Sequence, residues 1–185
     1  FISRSYHVTG EPVPDDGIFY KREGKTAHCI FTTEAKSRGR VGEEVPCDYP
    51  IPERLAALYR DLGYTDDDIY YKADTSSDEV TGHFLQMKIA HDFLAEDDPE
   101  LDELIKDACT RTTRHIIDHG FEFCESSGKP TTWAKWSKRY FDNDPIGYVD
   151  APLNSSEMLV YLKITMYITG EKGIWQETYD KLISE

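Results

Sequence analysis

Two stretches of this chain carry more apolar surface than a helix facing water on one side can hide. At 100° per residue, 80–94 sets Val80, Phe84, Met87, Ala90, His91 and Leu94 on one side and Leu85, Ile89 and Phe93 on the other. The run Met158 to Ile168 is apolar nearly all the way round. Each is therefore predicted to be an inner helix, sandwiched between layers. Both open on a capping signature: Ser76 with Glu79 in the first, Asn154 with Glu157 in the second. The shared opening suggests a repeated helical hairpin.

The remaining helical patterns are one-sided. Pro52 suits a first turn, Leu55, Leu58, Tyr59 and Leu62 form one stripe, and Gly63 is a stop. Over 99–119, Leu101, Leu104, Ile105, Ala108, Thr112 and Ile116 share a face, with Asp102, Glu103, Lys106, Asp107, Arg111 and Arg114 opposite and Gly120 as the stop. Ile174, Trp175, Thr178, Tyr179 and Leu182 mark a last one-sided helix. The order outer, inner, outer, inner, outer predicts an all-α domain over 51–185, built of alternating inner and outer hairpins as a partial (α/α) toroid or helical bundle. Residues 1–50, dense in glycine and proline, read as a loop-rich segment with a short hairpin.

Charge narrows the partners. The formal net charge is −14, from 35 acidic against 21 basic residues, with no basic cluster, so a phosphate backbone would be repelled and nucleic acid is not an expected partner. No apolar run reaches the ~18 residues of a membrane span, so no membrane association is expected. Twelve tyrosines and three tryptophans set the chain apart from disordered acidic sequences. Cys29, Cys47, Cys109 and Cys124 lack CxxC or zinc-ribbon spacing. Free, partly buried thiols are the simpler reading, with one or two disulfides the other. Glu79 with His83, and His115 with His119, have metal-compatible i, i+4 spacing but no recognisable third ligand, so neither metal nor cofactor is expected.

If the two inner helices run parallel, their N-termini and the loop holding Trp133 and Trp136 share one mouth. Unpaired N–H groups, carboxylates and aromatic rings together suit a sugar: acids for proton transfer, rings for stacking on a pyranose face. Asp74, Asp78, Glu79 and His83 are the candidate acid–base groups; Arg4, His7, Trp133, Trp136 and Asn154 are the candidate binding groups. Each has a plainer reading. Asp74, Ser76 and Glu79 serve equally well as helix caps, and His83 as a hydrogen-bonded core histidine. Gly82 costs about 1 kcal/mol relative to alanine inside a helix, which suggests a close approach by another backbone or a ligand.

The set Asp74-Thr-Ser-Ser-Asp-Glu-x-x-Gly-His83, Asp118-His119, Gly128-Lys-Pro-Thr-Thr-Trp-Ala-Lys-Trp136, Asn154-Ser-Ser-Glu-Met-Leu159 and Thr169-Gly170 resembles a group of uncharacterised bacterial proteins over roughly 70–182. Their helical region is similar to the (α/α) toroids of six-hairpin glycosidases and polysaccharide lyases. The Asp-x-Ser start of the first inner helix is also similar to unsaturated glucuronyl hydrolases. The resemblance implies a carbohydrate-active domain, glycoside hydrolase or lyase. The alternative is a non-catalytic helical module that binds a glycan, another small polar ligand or a protein. A full toroid has six hairpins where this chain supplies two and a leading helix. A fragment of a larger chain, a smaller bundle or an oligomer are all consistent with that shortfall.

Overall fold

Aromatic and β-branched residues at Phe19-Tyr20 and Ile69-Tyr70-Tyr71 favour extended backbone, and the structure uses them as strands. The structure is a computed structural model that describes residues 6–8, 15, 17–48 and 53–184. It divides into two units, one of 1–75 with 125–129 and one of 76–124 with 130–185.

The first unit is built on an antiparallel sheet of β1 (Tyr6–Val8), β2 (Phe19–Glu23), β3 (Thr26–Cys29), β4 (Glu44–Pro46) and β5 (Ile69–Lys72), in the order β1-β5-β2-β3-β4. Helix α1 (Thr33–Ser37), α2 (Glu53–Arg60) and a 3-10 turn at Asp66–Asp68 connect the strands. A two-residue loop joins β2 to β3, with Glu23 opposite Thr26. Its first residue, Gly24, takes the positive φ of 60° that such hairpins need at this place, and its N–H donates to Asp67 Oδ1 at 2.8 Å. Tyr20 lies opposite both Cys29 and Tyr71, so three side chains project to one face, where they pack with Ile18, Ala27, Ala35, Val45 and Ala73.

This sheet corrects the all-α expectation. The protein is mixed α and β, and neither a purely helical toroid nor an all-helical bundle describes it. Residues 69–72, which read as a loop between helices, pair with both β1 and β2. Helix α2 also departs from the outer-helix pattern: among its described side chains Ala56 is buried and Leu58 exposed, and Leu62 lies beyond its end and is exposed.

The second unit holds α3 (Ser77–Leu94), α4 (Pro99–Asp118), the hairpin β6 (Glu122–Cys124) and β7 (Pro130–Lys135), α5 (Lys138–Asn143), α6 (Pro145–Thr169) and α7 (Gly173–Ser184). Ser76, Asp98, Ser137 and Asp144 cap α3 to α6 in turn. Helix α6 therefore begins nine positions before Asn154. Asn154 and Glu157 lie inside it with buried side chains and do not start a helix.

Helices α3 and α6 run parallel. Contacts pair Ser77 with Asn154, Thr81 and Phe84 with Tyr161, and Lys88 with Tyr167. One turn after Tyr161, Thr165 bonds Thr113 of α4 at 2.6 Å and lies 3.4 Å from Cys109 Sγ. Helix α4 in turn sets the Arg114 guanidinium over the buried Trp175 ring of α7.

Helix α3 is covered on one face. Val80 and Phe84 are buried, whereas Leu85, Ile89 and Phe93 are 55%, 47% and 77% exposed. The expected second layer is absent among the described residues. Gly82 likewise meets open space: a Cβ there would find nothing within 4 Å, so neither a backbone nor a side chain approaches it closely.

A close approach does occur at Gly147, where an added Cβ would lie 2.2 Å from the carbonyl oxygen of Tyr140. Gly147→Ala is expected to destabilise the protein by about 1–3 kcal/mol through overpacking, read as a lower urea midpoint at unchanged slope.

Candidate functional site

The start of α3 was the predicted mouth, and its local hydrogen bonds define what its side chains can do. The Ser76 N–H donates to Glu79 Oε2 at 3.1 Å, so Glu79 folds back into the cap. Asp78 is exposed on the first turn. His83 is half-buried one turn later, and burial pushes its pKa down against the opposing pull of Glu79. Asp74 belongs to the sheet unit. His7 pairs with Tyr70 through the backbone of β1, and Arg4 lies outside the described residues.

The two tryptophans divide. A parallel bridge ties Trp133 to Ser76, which puts this 43% exposed residue beside the α3 N-terminus. Trp136 is 3% exposed. Its Nε1–H donates to Glu157 Oε2 at 3.1 Å, and its ring meets Tyr161 edge-on at 5.5 Å. Asn154 is also buried, with Nδ2 donating to the Lys135 carbonyl at 2.8 Å. The structure thus gathers Asp78, Glu79, Trp133, Trp136 and Asn154 in the helical unit. It uses Trp136 and Asn154 to join α6 to the strand β7 and the residue that follows it.

A cleft of about 330 Å³ opens elsewhere in that unit. Phe121, Trp136, Phe141, Met158, Leu159 and Leu182 line its apolar wall, and Lys138, Asp142 and Ser155 stand at polar positions. Lys138 Nζ and Asp142 form an ion pair at 2.9 Å. None of Asp74, Asp78, Glu79 or His83 lines it. Trp136 is the predicted residue that does. Lys138 and Asp142 gave no sequence signal beyond an i, i+4 charge pair.

A second feature joins α4 to β6. His115, His119 and Cys124 each offer a ligating atom within 4.8 Å of the others. Gly120 and Phe121 both take positive φ, 68° and 67°, and this turn folds β6 back along the last turn of α4. Phe121 is the non-glycine residue in that conformation among those described. His115 Nε2 lies 3.0 Å from the Cys124 backbone N and 3.1 Å from its O. Burial, with the His119 ring beside it, pushes the His115 pKa down to about 4. The four cysteines form no disulfide.

The sheet unit contains a buried polar cluster that the sequence did not announce. Arg40 donates from Nη1 to Glu125 Oε1 at 2.5 Å, from Nε to Glu43 Oε2 at 2.6 Å, and from Nη2 to the Tyr20 hydroxyl at 2.7 Å. Lys129 Nζ adds a bond to Glu43 Oε1 at 2.7 Å. Burial works to raise the Glu43 pKa, yet its bonds to Lys129, Arg40 and Tyr20 outweigh that and hold it at about 2. Glu125 Oε2 is buried without a hydrogen-bond partner. Glu43, Glu125 and Tyr20 all meet Arg40, so the cluster reads as a structural ion network.

No protein family model, curated protein or solved structure matches this chain.

The Glu43 carboxylate is held below the ordinary glutamate value of 4.5, so its stabilising contribution is complete above that pH and is lost as pH falls toward about 2. Urea unfolding followed across this window is expected to show stability falling by up to about 1.4 kcal/mol per pH unit, and Glu43→Gln is expected to flatten that dependence.

Proposed function

We propose that the helical unit is a non-catalytic recognition module for a small polyhydroxylated ligand, with a sugar ring as the class that fits the cleft. The observation that carries this reading is the lining, which joins aromatic and aliphatic side chains with a lysine–aspartate pair and a serine. A pyranose has the matching character, with an apolar C–H face and a polar perimeter. The volume lies at the small end of ligand pockets, which suits one ring and not a long chain.

Recognition is favoured over catalysis by the carboxylates. Glycoside hydrolysis commonly uses two carboxyl groups flanking the scissile bond. The cleft has Asp142 alone, and that side chain is paired with Lys138. At the α3 mouth, Glu79 is tied into the cap and Asp78 faces solvent, an arrangement that supports helix capping more directly than proton transfer.

The test is calorimetry against a panel of neutral and uronate mono- and disaccharides, with product analysis alongside. Ser155→Trp fills the cleft from an exposed position and is expected to weaken binding by about tenfold or more, roughly 1.4 kcal/mol, while leaving the thermal midpoint in place. Trp133→Ala is expected to leave affinity within about twofold, since Trp133 does not line the cleft. Loss in Trp133→Ala with binding retained in Ser155→Trp would move the ligand to the α3 mouth. Turnover of any sugar would replace recognition with catalysis.

A further inference from the structure

We propose that His115, His119 and Cys124 form a binding site for a borderline-soft divalent metal, Zn²⁺ above all, which clasps the last turn of α4 to β6. The proposal stands apart from the sugar cleft and uses none of its polar groups.

Three observations carry it. One ligating atom of each residue already lies within 4.8 Å of the other two. A tetrahedral zinc with N and S ligands needs separations of roughly 3.3–3.6 Å, so closure is a matter of about one ångström. His119 is exposed and is the ligand with most room to adjust.

His119 is oriented in the way a metal-bound histidine requires. His119 Nδ1 lies 2.8 Å from the carbonyl oxygen of His115, to which Nδ1–H donates, leaving Nε2 for a ligand. His115 Nε2 lies 3.1 Å from the carbonyl oxygen of Cys124. An imidazole whose far N–H donates to a backbone carbonyl is oriented and made more basic at its near nitrogen. His115 Nε2 also lies 3.0 Å from the Cys124 N–H, so the apo ring accepts there with its proton on Nδ1. Metal entry at Nδ1 moves that proton to Nε2, so the bond accepted from the Cys124 N–H gives way to one donated to the Cys124 carbonyl. The thiol of Cys124 gives its proton to solvent, and S⁻ bonds the metal.

The backbone is shaped to the cluster. Cys124 reaches His115 because Gly120 and Phe121 both adopt left-handed conformations, the second at a cost that a side-chain-bearing residue ordinarily avoids. An N₂S donor set selects Zn²⁺, Co²⁺ or copper over Mg²⁺ and Ca²⁺, which prefer oxygen. Three protein ligands leave a fourth position beside the exposed His119, where water completes the tetrahedron.

The experiment uses the whole chain, stripped with chelator and reduced, titrated with Zn²⁺ by calorimetry and with Co²⁺ by absorption. One Zn²⁺ per chain is expected, with a Co²⁺ spectrum showing a thiolate charge-transfer band and ligand-field bands of tetrahedral intensity. His119→Ala is expected to weaken Zn²⁺ binding by about 100-fold or more with an unchanged circular dichroism spectrum, and Cys124→Ser to abolish the charge-transfer band. Zn²⁺ is expected to raise the thermal midpoint of the parent protein and leave that of His119→Ala where it was. Absence of the thiolate band, or His119→Ala binding Zn²⁺ like the parent, overturns the proposal. Should the buried Cys124 variant fail to fold, the exposed His119 variant decides alone.

Discussion

The helical unit depends on the seat of Tyr161. Its hydroxyl lies 2.6 Å from Thr81 Oγ1 and donates to the Ser77 carbonyl at 3.1 Å, while its ring stacks on Phe84 at 4.2 Å and takes the edge of Trp136. A fully buried tyrosine is tolerable because its one polar atom is satisfied from the facing helix. Burial accordingly drives its pKa upward and keeps it neutral. Those contacts lock the register of α3 against α6. One turn further, Thr165 does the same against α4. Trp136 and Glu157 then complete the seam by pairing an indole N–H with an otherwise buried carboxylate.

Once that seam is set, the candidate sites follow from what it leaves at the surface of the unit. Helix α6 is long enough to carry Asn154, Glu157 and Tyr161 inward while Ser155 and Leu159 face the cleft. Helix α4, held by Thr113 and Cys109 against Thr165, must turn back sharply at its end, and the turn at Gly120 and Phe121 sets Cys124 under His115. In the sheet unit the comparable constraint is Arg40. A buried guanidinium is costly unless each donor finds an acceptor, and Glu43, Glu125 and Tyr20 meet that demand from separate parts of the chain.

Local signals carried most of the helical reading. The expected helices at 76–94, 99–119 and 172–183 correspond to α3, α4 and α7, because capping residues, stop glycines and apolar stripes act within a few residues of one another. Helix α6 was legible only in its second half. Gly147 and Pro152 argue locally for a connection, but the Asp144-Pro145 cap and the packing of Gly147 on Tyr140 carry the helix through them. The sheet was not legible. Its strands are three to five residues long, and the pairing of Tyr20 with Tyr71 spans two helices and several turns.

The sites divide in the same way. The sequence by itself determined that Ser76 and Glu79 cap a helix, that His115 and His119 share one helical face, and that the chain carries a formal net charge of −14. Backbone periodicity and net charge are properties of neighbours and of totals, so no fold is needed to read them. Only the tertiary structure decided that the acidic start of α3 stands apart from the cleft, that Trp136 is a core residue, and that Cys124 completes a triad with the two histidines. Those outcomes turn on which residues distant packing brings within a few ångströms, and spacing along the chain does not encode that distance.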